Sequence, residues 1–181
     1  MAKLRVVHYL NQFFAGVGGE EKADARPASK DGPVGPGAAL KMALGEVGEV
    51  VGTVYCGDNR MAQHAGEATG KVVELIGQFK PDVVVAGPAF GSGRYGLACG
   101  QVCTAVQESL KVPAVTGVHR DSPAAAVYRG KALMASTSET TAGMTDAMSV
   151  MASLAVKLTG NENLGPANDD GYLPTGRREN E

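Results

Sequence analysis

A chain of 181 residues, 44% of them hydrophobic, suits one domain with a real core. Its formal net charge of −2 offers no basic face for nucleic acid. No apolar run reaches the ~18–20 residues of a membrane span, Met1-Ala-Lys-Leu-Arg5 lacks a signal peptide's long apolar core, and three cysteines without regular spacing form no disulfide framework, so a reducing cytoplasm is the expected setting.

Leu4–Tyr9 is an apolar run and reads as the first strand. It feeds an insert, roughly residues 11–36, that exceeds an ordinary βα loop. Gly37–Leu44 reads as a short helix, Val50–Cys56 as the second strand and Met61–Phe79 as a long amphipathic helix. Asp82–Phe90 contains Val83-Val84-Val85-Ala86, apolar at every position, as a strand buried on both faces of a parallel sheet would be. Arg94–Leu110 carries Cys99, Val102, Cys103, Val106 and Leu110 along one helical stripe. Ala114–Val118 and Ala132–Ser136 read as strands and Pro123–Arg129 as a helix between them. Thr137-Ser-Glu-Thr-Thr141 reads as the capped start of a last helix, Thr141–Leu158. The alternation predicts an α/β fold: a five-stranded, mainly parallel, doubly wound sheet, a flavodoxin-like or Rossmann-like three-layer sandwich with strand order 2-1-3-4-5. Residues 1–160 are expected to form that domain. Residues 161–181 read as a polar linker or tail leading to a missing second half.

Two loops stand out. Tyr9-Leu-Asn-Gln-Phe-Phe-Ala-Gly-Val-Gly-Gly-Glu-Glu-Lys-Ala-Asp24 places Phe13 and Phe14 among Gly16, Gly18 and Gly19, an expensive combination to order unless something is bound. Gly87-Pro-Ala-Phe-Gly-Ser-Gly-Arg-Tyr-Gly96 follows the third strand and opens the next helix, where unpaired N–H groups favour an anion. Its Gly91-Ser-Gly-Arg-Tyr-Gly96 matches GxGxxG, but after the third strand and with no ribose-binding acid in place, which makes a weak nucleotide signal. In the order 2-1-3-4-5, strands 1 and 3 are neighbours and both loops face one crevice at the switch point. The expected binding residues are Asn11, Gln12, Phe13, Phe14, Gly18, Gly19 and Glu20 from the first loop. Phe90, Gly93, Arg94 and Tyr95 join them from the second. Arg94 would grip a carboxylate and the aromatics would surround an ammonium, although Tyr9 and Phe90 taken singly read as core and Glu20 to Asp24 as a solvated loop.

Cys56 ends the second strand at the cleft edge, and a reactive role stands beside a structural one. Cys99 and Cys103 lie on the apolar stripe and read as buried structural thiols. His119 after the fourth strand suits acid–base work or a loop cap, and His8 reads as a core histidine. No metal-ligand spacing is present.

Tyr9 to Asp24, Val34-Gly-Pro-Gly37, Cys56-Gly-Asp-Asn59 and Gly87 to Gly100 together resemble the selenoprotein subunit of glycine/sarcosine/betaine reductase component B, a family that includes the D-proline reductase selenoprotein subunit. The resemblance runs from Val6 to about Tyr172. It implies reductive C–N cleavage of a small amine or amino acid in anaerobic fermentation. It also implies work with other reductase subunits: selenoprotein A and a processed component B partner that bears a pyruvoyl group in the glycine-type system. The family's selenocysteine sits in a U-x-x-C motif, and this chain holds neither selenocysteine nor C-x-x-C. Either it is the amino-terminal part of a longer polypeptide, which the abrupt tail favours, or a paralogue without the redox centre. It is expected to bring no cofactor of its own and to be inactive in isolation. The rival readings are an interaction module that docks reductase partners, and a nucleotide- or flavin-binding domain. Homo-oligomerisation is left open.

Overall fold

The computed structural model describes residues 3–160, 165 and 167–174. Its centre is a six-stranded sheet in the order β2-β3-β1-β4-β5-β6. The strands are β1 (Leu4–Asn11), β2 (Ala28–Asp31), β3 (Gly48–Cys56), β4 (Val83–Phe90), β5 (Ala114–Val118) and β6 (Leu133–Ser136). β1 runs parallel to both β3 and β4, and β5 and β6 continue the parallel set, so the two strands bearing the odd loops are neighbours.

The sheet corrects the five-strand expectation. β2 pairs antiparallel with β3, Ala28 opposite Tyr55 and Asp31 opposite Gly52, inside what reads as loop. Its sequence, Ala-Ser-Lys-Asp, has no apolar face because it lies at the sheet edge with three of four residues exposed. β4 is the opposite case: all eight residues are buried, as its unbroken apolar run demands.

Helices cover both faces. On one, α2 (Asp58–Gln63), α3 (Ala65–Gln78), α4 (Gly93–Ser109) and α5 (Pro123–Tyr128) pack around Tyr9, Val72, Ile76, Val102 and Val106. On the other, α1 (Gly37–Leu44) and α6 (Met144–Thr159) close over Val6, Val85, Val115, Met148 and Leu154. The single helix expected over 61–79 is two, broken where His64 takes φ −128°, ψ 46°. The start expected at Thr137–Thr141 does not cap α6. Ser138 Oγ donates to Thr140 O and Thr137 Oγ1 to Ser138 O, and α6 begins only at Met144, with Gly143 at its N-cap position and no side-chain cap. Ser122 caps instead, accepting from Ala124 N at 3.2 Å ahead of Pro123 in the first turn of α5.

Beyond Gly160, a short helix α7 (Ala167–Asp170) leads to Tyr172 and Leu173, which bury against β6, where Leu173 N donates to Met134 O at 2.7 Å. Most of the polar tail read over 161–181 lies outside the described residues. No helix among the described residues is long and apolar enough to cross a membrane.

Candidate functional site

The site forms where the carboxyl ends of β1, β3 and β4 meet. Asn11, the last residue of β1, turns the chain: its Oδ1 accepts from Phe14 N, three residues on, at 2.9 Å, and its Nδ2 donates to Asp58 Oδ2 at 2.9 Å. Gln12 repeats the pattern one residue on. Its Oε1 accepts from Asp58 N at 3.0 Å and its Nε2 donates to Gly19 O at 3.3 Å. Asp58, at the start of α2, therefore holds the beginning of the glycine loop, and Gln12 ties that beginning to Gly19. Two glycines make the close passage possible. A Cβ on Gly57 would strike Ala23 O, and one on Gly35, at φ 52°, would strike Phe14 O.

So fixed, the loop delivers its outer residues to α4. Phe14 stacks on Tyr95 with ring centroids 5.7 Å apart and planes 30° apart, and Phe13 meets Phe14 edge-on at 5.2 Å. Arg94 Nη2 donates to both carboxylate oxygens of Glu20, at 2.7 and 2.8 Å, which joins the β1 and β4 loops directly. This pair holds the Arg94 guanidinium above its ordinary range, through the Glu20 hydrogen bonds first. Both partners are substantially exposed, and Phe13 is 60% exposed.

The expected residues thus divide. Glu20, Phe13 and Arg94 present themselves to solvent, with Phe14 beside them and half-buried. Tyr9, Asn11, Gln12, Phe90 and Tyr95 are buried and position the others. Phe90 holds φ 53°, a left-handed conformation uncommon for an aromatic residue, where β4 leaves the sheet. Gly93 opens α4, and a Cβ there would meet only Pro123 Cγ at 4.0 Å. Gly96 lies against α5, where a Cβ would meet Ser122 Oγ at 3.0 Å and Ala124 Cβ at 3.1 Å; the GxGxxG glycine serves helix packing. Gly18, at φ 158°, and Gly19 carry the turn into Glu20.

Below this crest lies an unusual buried group. Tyr9 Oη, Tyr95 Oη and Asp58 Oδ1 are buried without a hydrogen-bond partner among the described residues. Burial raises both tyrosine hydroxyls far above their ordinary range. Burial also pushes the Asp58 carboxyl up, against the Asn11 hydrogen bond and the charge of Arg94. Asp58 is the residue that sequence reasoning passed over. Its signal was the first helical position after Cys56-Gly57, at the same sheet edge as the two loops.

Burial pushes the Cys56 thiol up to about 12, with its Sγ 3.6 Å from Ala25 O, so it stands as thiol at neutral pH. Cys99 is likewise raised, and Cys103 to about 12. His119 Nδ1 accepts from Asp121 N at 3.1 Å and its backbone N donates to Phe90 O at 2.8 Å, as a loop cap does. Beside Arg94 opens a hollow of about 280 Å³ lined by Met61, Ala65, Leu97, Gln101 and Tyr128. A larger one, about 550 Å³, lies in the groove between α3 and α4, away from these loops and from the orphaned polar atoms.

Fold and site together define an α/β domain whose strand tips carry a charged, aromatic crest over a buried polar floor. The chain belongs to the glycine/sarcosine/betaine reductase selenoprotein B family, whose profile matches residues 3–181. It is 49% identical over 180 residues to the glycine reductase complex component B subunit gamma of Carboxydothermus hydrogenoformans, covering 99% of this chain and 41% of that protein. It is 45% identical over 180 residues to the sarcosine reductase complex component B subunit beta of Peptoclostridium acidaminophilum, with the same coverages. It is 38% identical over 174 residues to the betaine reductase complex component B subunit beta of the same organism, covering 96% and 40%. The chain therefore spans about two fifths of the length of these curated relatives. No solved structure matches it.

Proposed function

We propose that this chain is the amino-terminal α/β part of a reductase component B subunit, and that its crest binds the amine substrate for reductive C–N cleavage. The carrying observation is the Arg94–Glu20 pair, which spans the two loops at 2.7 Å in an exposed position. An amino acid presents both charges of that pair. Its carboxylate can replace Glu20 on Arg94 while its ammonium takes Glu20 and the Phe13 face, so two opposite charges are exchanged without leaving either stranded. Asn11, Gln12 and Asp58 keep the loop in register for that exchange. The reductive step belongs to residues outside this chain, whose three cysteines are buried.

Titration of the full-length subunit with glycine, sarcosine and betaine tests the reading. Arg94→Ala is expected to weaken all three several-fold, since an exposed charge pair is worth up to about 1 kcal/mol. Glu20→Gln should weaken glycine more than betaine, whose quaternary nitrogen donates no hydrogen bond. Unchanged affinity for every substrate in Arg94→Ala removes the proposed role.

One observation favours a second reading. Phe13 stands largely exposed on a loop that is otherwise tied down, as a docking anchor for reductase partner subunits would. If Phe13→Ala abolishes partner pull-down and leaves substrate affinity intact, the loop docks proteins.

A further inference from the structure

Where the end of the first loop passes α2 and α3, a cavity of about 270 Å³ is lined by Arg26, Pro27, Arg60, Glu67, Ala68 and Lys71. Three cations face one carboxylate in a chain that carries a slight negative charge overall. Arg60 is not a free surface side chain. Its Nε donates to Asp24 O at 3.3 Å, while its backbone N and that of Asn59 donate to Ala23 O at 3.1 and 2.8 Å. Asn59 Nδ2 adds a bond to Asp24 Oδ1 at 2.6 Å, and Gly57 N one to Ala25 O at 2.9 Å. The guanidinium is thereby held by its inner nitrogen, and its outer two have no acceptor among the described residues. Arg26 has no carboxylate within ion-pair distance among the described residues, and Lys71 has only the exposed Glu74, at 3.5 Å.

We propose that this cavity binds a tetrahedral oxyanion, inorganic phosphate or the phosphate of a small phosphomonoester. A guanidinium fixed at one nitrogen offers a paired donor edge that matches two oxygens of such an anion, and Arg26 and Lys71 supply the remaining charge. The volume fits a phosphate with a few attached atoms and falls below the usual range for drug-sized ligands. Glu67 opposes the anion and sets the affinity low. The site is separate from the Arg94 crest.

The test is calorimetric titration of the full-length subunit with inorganic phosphate at constant ionic strength, beside sulfate, acetate and O-phosphoethanolamine. Saturable phosphate binding is expected, with acetate much weaker. Arg26→Gln combined with Lys71→Gln, which leaves every bond of Arg60 and Asn59 in place and breaks only the exposed Lys71–Glu74 pair, should weaken phosphate about tenfold or more. Glu67→Gln should tighten it, and Lys41→Gln on α1 should leave it unchanged. Tighter binding of O-phosphoethanolamine than of phosphate assigns the phosphomonoester, and the reverse assigns the free anion. Binding that does not saturate, or that Lys41→Gln reduces as much as the double variant does, overturns the proposal.

Discussion

At the scale of single residues, two buried titratable groups pull in opposite directions with pH. His8 is buried, its Nε2 2.6 Å from Gly87 O, and burial lowers its pKa from 6.5 to about 4. The unfolded chain then binds more protons than the folded one below about pH 6.5. Stability is therefore lost as pH falls from there toward about 4, by up to about 3 kcal/mol. Urea titrations at pH 7 and pH 5 should show that loss, and His8→Gln should shrink the difference between the two. Asp58, raised by burial, has the opposite sign: its contribution is present at low pH and falls as pH rises through its raised value. Its hydrogen bonds matter more than its charge. Asp58→Asn keeps an acceptor for Asn11 Nδ2 and should retain most of the stability at pH 7. Asp58→Ala leaves that amide unpaired and should cost about 1–3 kcal/mol in the same titration.

At the scale of elements, the glycine loop depends on passage as much as on contact. Gly57→Ala forces a Cβ against Ala23 O, a backbone atom that cannot swing aside. It should destabilise the protein by about 1–3 kcal/mol, readable as a shift in urea midpoint, and should speed amide exchange over residues 12–25 more than in β4. Parts of this arrangement were legible in the sequence. β4 announced itself by its apolar run, and the 2-1-3-4-5 order put the tips of β1 and β4 together, which the Arg94–Glu20 distance fulfils. Other parts were not. β2 hides in Ala-Ser-Lys-Asp because an exposed edge needs no hydrophobic alternation, and the break at His64 has no proline, while the nearby Gly66 lies within α3 itself. The inward folding of Asn11 and Gln12 rests on Asp58, 47 and 46 residues away. No local pattern encodes a partner at that separation.

At the scale of the whole molecule, the chain packs as a sheet covered by helices on both faces. Its two helical layers enclose separate apolar clusters on the faces of one sheet, which is enough for a domain to fold cooperatively. Yet it spans 41% of its glycine and sarcosine reductase relatives, and all three of its cysteines are free and buried. The proposed cleavage would call for a nucleophile that reaches substrate, whereas burial holds the Cys56 and Cys103 thiols at about 12 and raises Cys99 well above its ordinary range, which leaves almost no thiolate at neutral pH. The isolated 181-residue chain should therefore unfold in one cooperative transition and release neither ammonia from glycine nor an amine from sarcosine or betaine with a dithiol reductant present. Triple replacement of Cys56, Cys99 and Cys103 by Ala should lower its thermal midpoint, since it empties packed positions. In the full-length complex, after correction for the fraction folded, the same replacement should leave turnover unchanged. A turnover loss in excess of the folded fraction would place one of these sulfurs in the reaction path.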